Sequence, residues 1–577
     1  MSFLSVYWNK YKGLFITSVC FVVAEAVFDL LQPRFMAMMI DNGVGSYDPG
    51  YVIRMGLVMV GVVCLSAGCG IVRNVVSSTV SQKVGAEMRQ DMFVKIQKIS
   101  VSDAEGFDGG SLVTRLTNDQ TQLTFFINSL MRNVAKAPIT VVGSVVMSLT
   151  LNMRVGAIVL GVVAFAMFTI LLSMKLTYPV FAKVQAALDK LNTTVREYLM
   201  GIRLVKAFGR QISEARRFAA ANDDLVRINT KAARILGVFG PFTGLAVHLG
   251  IAMILIAGSR WVGKGDMKVG EVVAFISYMS QLMFSFFMTS NILNIFVRAR
   301  ASYNRIREVM DLPDAEDLGE DDRYEPIRND ASAVVFENVT FTYPLSTGDS
   351  AISGVSFRLE RGQTLGIIGP TGSGKSTLTS LLLRFYRMDT GLIQLFGEDI
   401  GDMTPKRLRE HVAIVPQTPM LFSGTIRENI LWGNPGATDD EILGAAKDAQ
   451  ALEFIEAAEN GFDTWIGQGG VNFSGGQKQR LSIARALVSK PDVLILDDCT
   501  SALDSLTEAK VLSAVRARSE NLACVLISQR ISTVRKTDNI LVLNHGAVAG
   551  CGSHDALVKG CEVYRDTCKS QIGEGDY

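Results

Sequence analysis

The run Gly369-Pro370-Thr371-Gly372-Ser373-Gly374-Lys375-Ser376-Thr377 decides the fold of the second half of this 577-residue chain. It fits the pattern G-x-x-x-x-G-K-[ST]. The apolar stretch Leu365-Gly366-Ile367-Ile368 leads into it as a strand would, and an apolar helical stretch over 377–385 leads out. Glycines at this spacing let successive backbone N–H groups turn inward around phosphate oxygens. The helix behind them points its positive N-terminal end at the same anion. Lys375 is placed to reach the β- and γ-phosphates of a nucleotide, and the Ser376 hydroxyl to ligate Mg²⁺.

Two further signals lie downstream. Val493-Leu494-Ile495-Leu496-Asp497-Asp498 reads as a buried strand ending in carboxylates. Asp497 can hold Mg²⁺, directly or through water, and Asp498 is placed to polarise an attacking water. Ahead of it, Asn472-Phe473-Ser474-Gly475-Gly476-Gln477 sets a Ser-Gly-Gly turn before a helix over 477–487, a second N-terminal anion site. Short β-rich runs at 333–343, 354–359 and 364–368 alternate with helical segments, so 333–570 reads as one α/β domain. Residues 311–332 are acidic, carry Pro313 and Pro326 and show no apolar period, which marks a linker; 571–577 form a C-terminal tail.

The first half has another character. Apolar runs near 14–39, 55–80, 138–151, 157–178, 235–258 and 269–296 are candidate membrane helices, the third beginning near Met131. The first is too long for a signal-peptide core and has no small-residue cleavage site after it. Two polar stretches, 81–133 and 179–233, are rich in Lys and Arg, as are the flanks at Lys10, Lys12, Arg298, Arg300, Arg305 and Arg307. All fall on one side if the spans alternate, and that side is expected to be cytoplasmic, with both termini and the α/β domain. In 180–217, Val184, Leu188, Leu191, Val195 and Leu199 keep helical spacing, so the spans should continue beyond the bilayer rather than give way to an independent soluble insert. Residues 1–310 thus form an all-α transmembrane domain. Mean hydropathy is positive, +0.26. The formal net charge of +1 gives no general case for nucleic-acid binding. The eight cysteines are scattered, with no metal-ligand spacing, and read as small apolar residues in a reducing compartment.

Taken together, these motifs resemble the ATP-binding cassette (ABC) transporters, specifically exporter-type half-transporters, and the resemblance covers essentially the whole chain. It implies a six-helix transmembrane domain fused to a P-loop α/β nucleotide-binding domain, with ATP and Mg²⁺ as cofactors. Phe473–Gln477 is similar to the family's signature motif, with Phe in place of the usual Leu. Gln417, in Val415-Pro416-Gln417-Thr418-Pro419, resembles the glutamine that senses Mg²⁺ and couples to the membrane part. Tyr343 resembles the aromatic that stacks on adenine, and Ser501-Ala502-Leu503-Asp504 resembles the D-loop. Glu197, Gly201, Arg203, Val205, Lys206 and Phe208 resemble the second cytoplasmic loop of such exporters. In this family each ATP lies between the P-loop of one domain and the signature motif of another. A second half-transporter is therefore implied, with Ser474, Gly475, Gly476 and Gln477 contacting the partner's ATP.

Three positions depart from the family pattern. The residue after Asp497 is normally Glu, the general base; Asp498 is one methylene shorter and falls about 1 Å short of the water. Gln529, in Ser528-Gln529-Arg530, stands where the family has a switch histidine. It can donate a hydrogen bond but cannot carry an imidazolium charge. Gln468 occupies a place usually held by Glu. The expectation is a heterodimeric, multidrug-type exporter in which this chain supplies the P-loop side of a hydrolysis-impaired site and the signature of a competent one. The alternatives are an ATP-gated, channel-like regulator and an importer built on the exporter fold. Expected cargo is amphipathic or hydrophobic: drugs, lipids or peptides. Glu25 and Asp29 share one face of the first span. They are either a site for cationic substrates or structural partners of a base such as Arg73. Met279, Met283, Phe284, Phe286, Phe287 and Met288 give the sixth span either a pliable ligand surface or a packing face.

Overall fold

A computed structural model describes residues 4–315, 332–344, 346, 348–518 and 522–572. The chain forms two compact units, Met1–Lys95 with Gly109–Asp311, and Ile96–Asp108 with Leu312–Tyr577. Residues 316–331 of the expected linker and 573–577 of the expected tail lie outside the described residues.

The first unit is helical. Its elements are α1 (Leu4–Met39), α2 (Pro49–Lys98, whose last turn belongs to the second unit), α4 (Gly109–Thr114), α5 (Gln120–Ser129), α6 (Ala135–Leu151), α7 (Met153–Met200), α8 (Ile202–Ala207), α9 (Gln211–Gly263) and α10 (Val269–Met310); the short α3 (Val101–Glu105) belongs to the second unit. Among the described residues, six helical stretches are long and apolar enough to cross a membrane, in register with the six runs read from sequence. The third starts far earlier than Met131: it is continuous over Gly109–Leu151, through π-helical turns at Arg115–Asp119 and Leu130–Val134. Helices α2, α7 and α9 have 50, 48 and 53 residues. A hydrocarbon core takes about 20. Each therefore runs well beyond it, as the unbroken apolar period requires.

The core of this unit is built from Val155, Val159, Val162, Val247, Ile254, Phe275, Met279, Leu282 and Phe286. Gly250 marks a close approach within this core: a Cβ there would stand 2.6 Å from Met279 Cε and 2.7 Å from Val162 Cγ2. Small residues let membrane helices close to that distance. Phe284 of the same span is exposed, so its Met/Phe face is divided between packing and surface. At the far end of α10, fully buried Asp119 accepts from Ser302 Oγ at 2.8 Å and from Arg305 Nε at 2.7 Å. Arg115 Nη2 pairs with Glu308 at 2.8 Å. The first π-turn thus brings two charged side chains onto one helix, where a buried carboxylate needs its partner.

The second unit is α/β. A four-stranded antiparallel sheet has the order β2 (Ile352–Glu360), β1 (Ser332–Phe341), β4 (Thr390–Leu395), β5 (Glu398–Asp399). A six-stranded sheet runs β12 (Ala547–Gly552), β11 (Asn539–Asn544), β3 (Thr364–Ile368), β10 (Ala523–Ile527), β9 (Val493–Asp497), β6 (Val412–Val415); β7 (Gly424–Thr425) and β8 (Trp465–Ile466) pair separately. All pairs of the large sheet except β11–β12 are parallel. Strands β3, β9 and β10 are buried along their whole length, as central parallel strands covered on both faces must be. Around them lie α11 (Lys375–Leu382), α12 (Pro405–His411), α13 (Ile426–Leu431), α14 (Asp439–Asp448), α15 (Leu452–Glu456), α16 (Gly475–Val488), α17 (Ser505–Ala517), α18 (Ile531–Val534), α19 (His554–Gly560) and α20 (Glu562–Ile572). α20 reaches two residues into the stretch read as a tail. Within this unit the Tyr386 hydroxyl bonds the Glu105 carboxylate of α3, and the Ala315 N–H donates to Lys98 O at 2.8 Å. These contacts explain why residues 96–108, read as part of the membrane domain, group with the α/β unit.

Candidate functional site

Sheet order builds the site. Strands β3, β10 and β9 are adjacent and parallel, so their C-terminal ends open on one edge, where open α/β sheets bind ligands. The glycine loop follows β3, Gln529 follows β10, and Asp497 and Asp498 close β9. Segments more than a hundred residues apart thereby meet in a cavity of about 320 Å³. Its lining includes Tyr343, Thr371, Gly372, Gly374, Lys375, Ser376, Thr377, Gln417, Asp497, Asp498 and Gln529, all named from sequence. Ala351 and Ile527 also line it, and sequence reading missed both. Neither carries a reactive group; only the fold places their surfaces there.

Gly374 shows why the loop is glycine-rich. It caps α11 at φ +96°, and a Cβ there would meet Ala351 O at 2.8 Å. A Cβ on Gly369 would stand 2.2 Å from Leu543 O. Ser373 Oγ is buried with no hydrogen-bond partner among the described residues, and the Lys375 ammonium folds back onto the Gly369 and Pro370 carbonyls at 2.8 Å each. An orphaned hydroxyl, a row of loop N–H groups and a lysine held on backbone oxygens together suit an anionic phosphate chain. Burial pushes the Lys375 ammonium below its ordinary pKa, against the pull of Asp498 and Asp497. A polyphosphate beside it would oppose that shift.

The acids face the loop. Ser376 Oγ donates to Asp497 Oδ1 at 3.4 Å. Asp498 leaves β9 with φ +46°, a left-handed backbone that Asp tolerates better than most residues. Its Oδ2 accepts from Gln417 Nε2 at 3.3 Å and from Gln529 Nε2 at 3.4 Å. Burial raises both carboxyl pKa values; the Ser376 bond opposes this at Asp497, and the Gln529 N–H and the Lys375 charge oppose it at Asp498. Two of the three positions that depart from the family pattern, Asp498 and Gln529, thus touch each other. The Tyr343 hydroxyl lies 3.1 Å from Thr377 Oγ1, and its ring meets Tyr386 edge-on at 5.1 Å.

The other motif residues lie elsewhere. Ser474, Gly475, Gly476 and Gln477 line no part of the cavity. Ser474 caps α16 in a reciprocal box: its Oγ accepts from the Gln477 N–H at 3.3 Å while Gln477 Oε1 accepts from the Ser474 N–H at 2.9 Å. Asp504 caps α17, accepting from Thr507 N–H at 2.9 Å and Leu506 N–H at 3.1 Å, and the Thr507 bond foremost holds its pKa low. Gln468 sits in a 3₁₀ turn, Gln468–Gly470. In the helical unit, Arg73 Nη1 lies 3.0 Å from Glu25, as one sequence alternative held. Lys136, which sequence reading did not single out, bridges both acids, at 2.6 Å to Glu25 and 2.9 Å to Asp29. Ser66 Oγ donates to Asp29 Oδ1 at 2.6 Å. No local pattern on α6 announces Lys136, because its partners come from another helix.

Comparison with known proteins agrees with this geometry. Residues 15–286 match the ABC transporter transmembrane region and 352–501 match the ABC transporter family. The chain is 38% identical to YfiB of Bacillus subtilis, an uncharacterized ABC transporter ATP-binding protein, over 99% of this chain and 98% of that one. It is 32% identical to an uncharacterized ABC transporter ATP-binding protein of Mycobacterium bovis over 99% and 98% of the two chains. The solved structure of a bacterial Atm1-family ABC exporter with ATP bound superposes with a TM-score of 0.82 at 26% identity, covering 98% of this chain and 99% of that one. Six spanning helices, a sheet edge that gathers P-loop and acids, and full-length similarity to such proteins lead to one conclusion: the chain belongs to the ABC transporter family, as an exporter-type half-transporter whose ATP hydrolysis drives transport.

Proposed function

We propose that this subunit works in a heterodimer as the partner with the weaker ATP site. The observation that carries the reading is the pairing of Gln529 with Asp498 beside an intact phosphate loop. The Asp498 carboxylate is short for a base, and its Oδ2 is engaged by two carboxamides. The Gln529 amide offers hydrogen bonds but no cationic charge to a developing phosphoryl oxyanion. Binding is supported fully and cleavage poorly. Ser474, Gly475, Gly476 and Gln477 remain free to complete the other site against a nucleotide held by the second subunit.

Ser376, Asp497 and Gln417 would hold Mg²⁺: their oxygen donors suit a hard ion, with phosphate and water as the remaining ligands. The ion would neutralise charge on the phosphates. Lys375 steadies the phosphate chain, Tyr343 offers a ring to adenine, and Asp498 orients water as far as its length allows. The ATP-binding domain and both termini lie on the cytoplasmic side, as the Lys/Arg distribution of the loops supports.

For cargo, we infer amphipathic or hydrophobic compounds. The cation-site reading of Glu25 and Asp29 loses force, because Arg73 and Lys136 offset both charges. The test is hydrolysis by this chain alone and with its second subunit. Feeble hydrolysis alone and strong hydrolysis together, abolished by removing the second subunit's catalytic acid, are expected. Brisk hydrolysis by the lone chain refutes the reading.

A further inference from the structure

The backbone around Gln529 is held from outside the nucleotide cavity. Gln571, on the C-terminal helix α20, donates from Nε2 to the Gln529 carbonyl at 2.7 Å and accepts at Oε1 from the Ile531 N–H at 2.9 Å. Helix α18 starts at Ile531 without a side-chain cap of its own. Its first N–H groups lack intrahelical acceptors. Gln571 supplies one from a distant part of the chain, and with the same carboxamide pins the peptide on the other side of Arg530.

The bracket has a firm base. Tyr564 and Cys568 of α20 pack with Ile531, Val534 and Ile368, the residue before Gly369. On the inner side, buried Glu508 accepts from Thr500 Oγ1 at 2.8 Å and Thr533 Oγ1 at 2.9 Å, and Arg530 Nη2 donates to Ser501 O at 3.0 Å. The loop is thus clamped between the exit of the acid strand and the C-terminal helix. Gln571 stands at the surface, as Arg530 does on the other side of the loop.

We propose that Gln571 is a positioning residue of the ATP site, holding residues 529–531 so that the Gln529 carboxamide stays beside Asp498, where the terminal phosphate of ATP would lie. The proposal rests on the nucleotide reading of the cavity. A helix cap of purely structural value would change stability alone; a positioning residue must act through Gln529 and only on a nucleotide with a third phosphate.

The experiment measures release of fluorescent AMP-PNP and fluorescent ADP from the assembled transporter, for the parent, Gln571→Ala, Gln529→Ala and the double variant. With two hydrogen bonds removed, release of AMP-PNP from Gln571→Ala should be faster by roughly five-fold or more, while ADP release stays unchanged. In the Gln529→Ala background the second substitution should add nothing. Unchanged AMP-PNP release, equal acceleration for both nucleotides, or full additivity with Gln529→Ala overturns the proposal. Equal binding by the parent and by Lys375→Ala overturns the nucleotide reading itself, and this proposal with it.

Discussion

Lengthening the acid at position 498 tests impaired hydrolysis most directly. Asp498→Glu adds one methylene and carries the carboxylate about 1 Å further toward the phosphate loop. A well-placed general base is worth about 10²–10⁴ in rate. Two costs reduce that gain. The backbone at 498 has φ +46°, and a left-handed residue without the Asp side chain's local bonding costs about 1 kcal/mol, roughly five-fold if all of it is felt in the transition state. The Gln529 amide beside it still supplies no positive charge. A rise of about ten-fold or more in single-turnover hydrolysis at this site remains. ATP affinity should change little, because the glycine loop and Lys375 are untouched. The thermal midpoint should fall by about 2–4 °C. The assay is single-turnover hydrolysis of radiolabelled ATP in a complex whose second subunit lacks its own catalytic acid, so that only this site reports. If Asp498→Glu binds ATP normally and folds, yet hydrolyses no faster than the parent, the short carboxylate is not what limits the site.

Other perturbations follow from named contacts. Lys375→Ala should weaken ATP binding by about 10- to 100-fold, the worth of one or two charge-assisted hydrogen bonds, as equilibrium binding of labelled ATP would report. Gly369→Ala should destabilise the α/β domain by about 1–3 kcal/mol in thermal unfolding, because its Cβ meets the Leu543 carbonyl at 2.2 Å and backbone cannot swing aside. Lys136→Met leaves Glu25 and Asp29 without their shared cation and should cost about 3–5 kcal/mol, seen as loss of monodisperse protein; adding Glu25→Gln and Asp29→Asn should restore much of it. Burial raises the pKa of folded Asp498, so its contribution to stability is greatest below the ordinary carboxylate pKa and is lost as pH rises through the folded value. Nucleotide-free Asp498→Asn should therefore melt higher than the parent near pH 7.5, with the difference shrinking toward pH 4 in a thermal-melt series.

Much of this protein is legible in its residues because the signals are local. The P-loop is a contiguous nonapeptide, the acids end a run of four apolar residues, and spanning helices are contiguous by nature. Helix boundaries were harder. The third span reaches back to Gly109 through two π-turns, and polar residues such as Arg115 and Asp119 hide that continuity from any hydropathy reading. Their burial is satisfied by Arg305 and Glu308, which lie nearly two hundred residues away.

The sequence by itself determined which groups are present: a phosphate loop, two aspartates where the family has Asp-Glu, a glutamine in place of a histidine, and carboxylates inside the membrane. Only the tertiary structure decided which of them meet. The adjacency of β3, β10 and β9 places Gln529 on Asp498, the packing of α1, α2 and α6 gives Glu25 and Asp29 their cations, and α20 brings Gln571 to the loop behind the site. The reason is the range of the forces involved. Apolar period and turn chemistry are written in neighbouring residues, whereas a buried charge or an uncapped helix finds its partner wherever the fold delivers one.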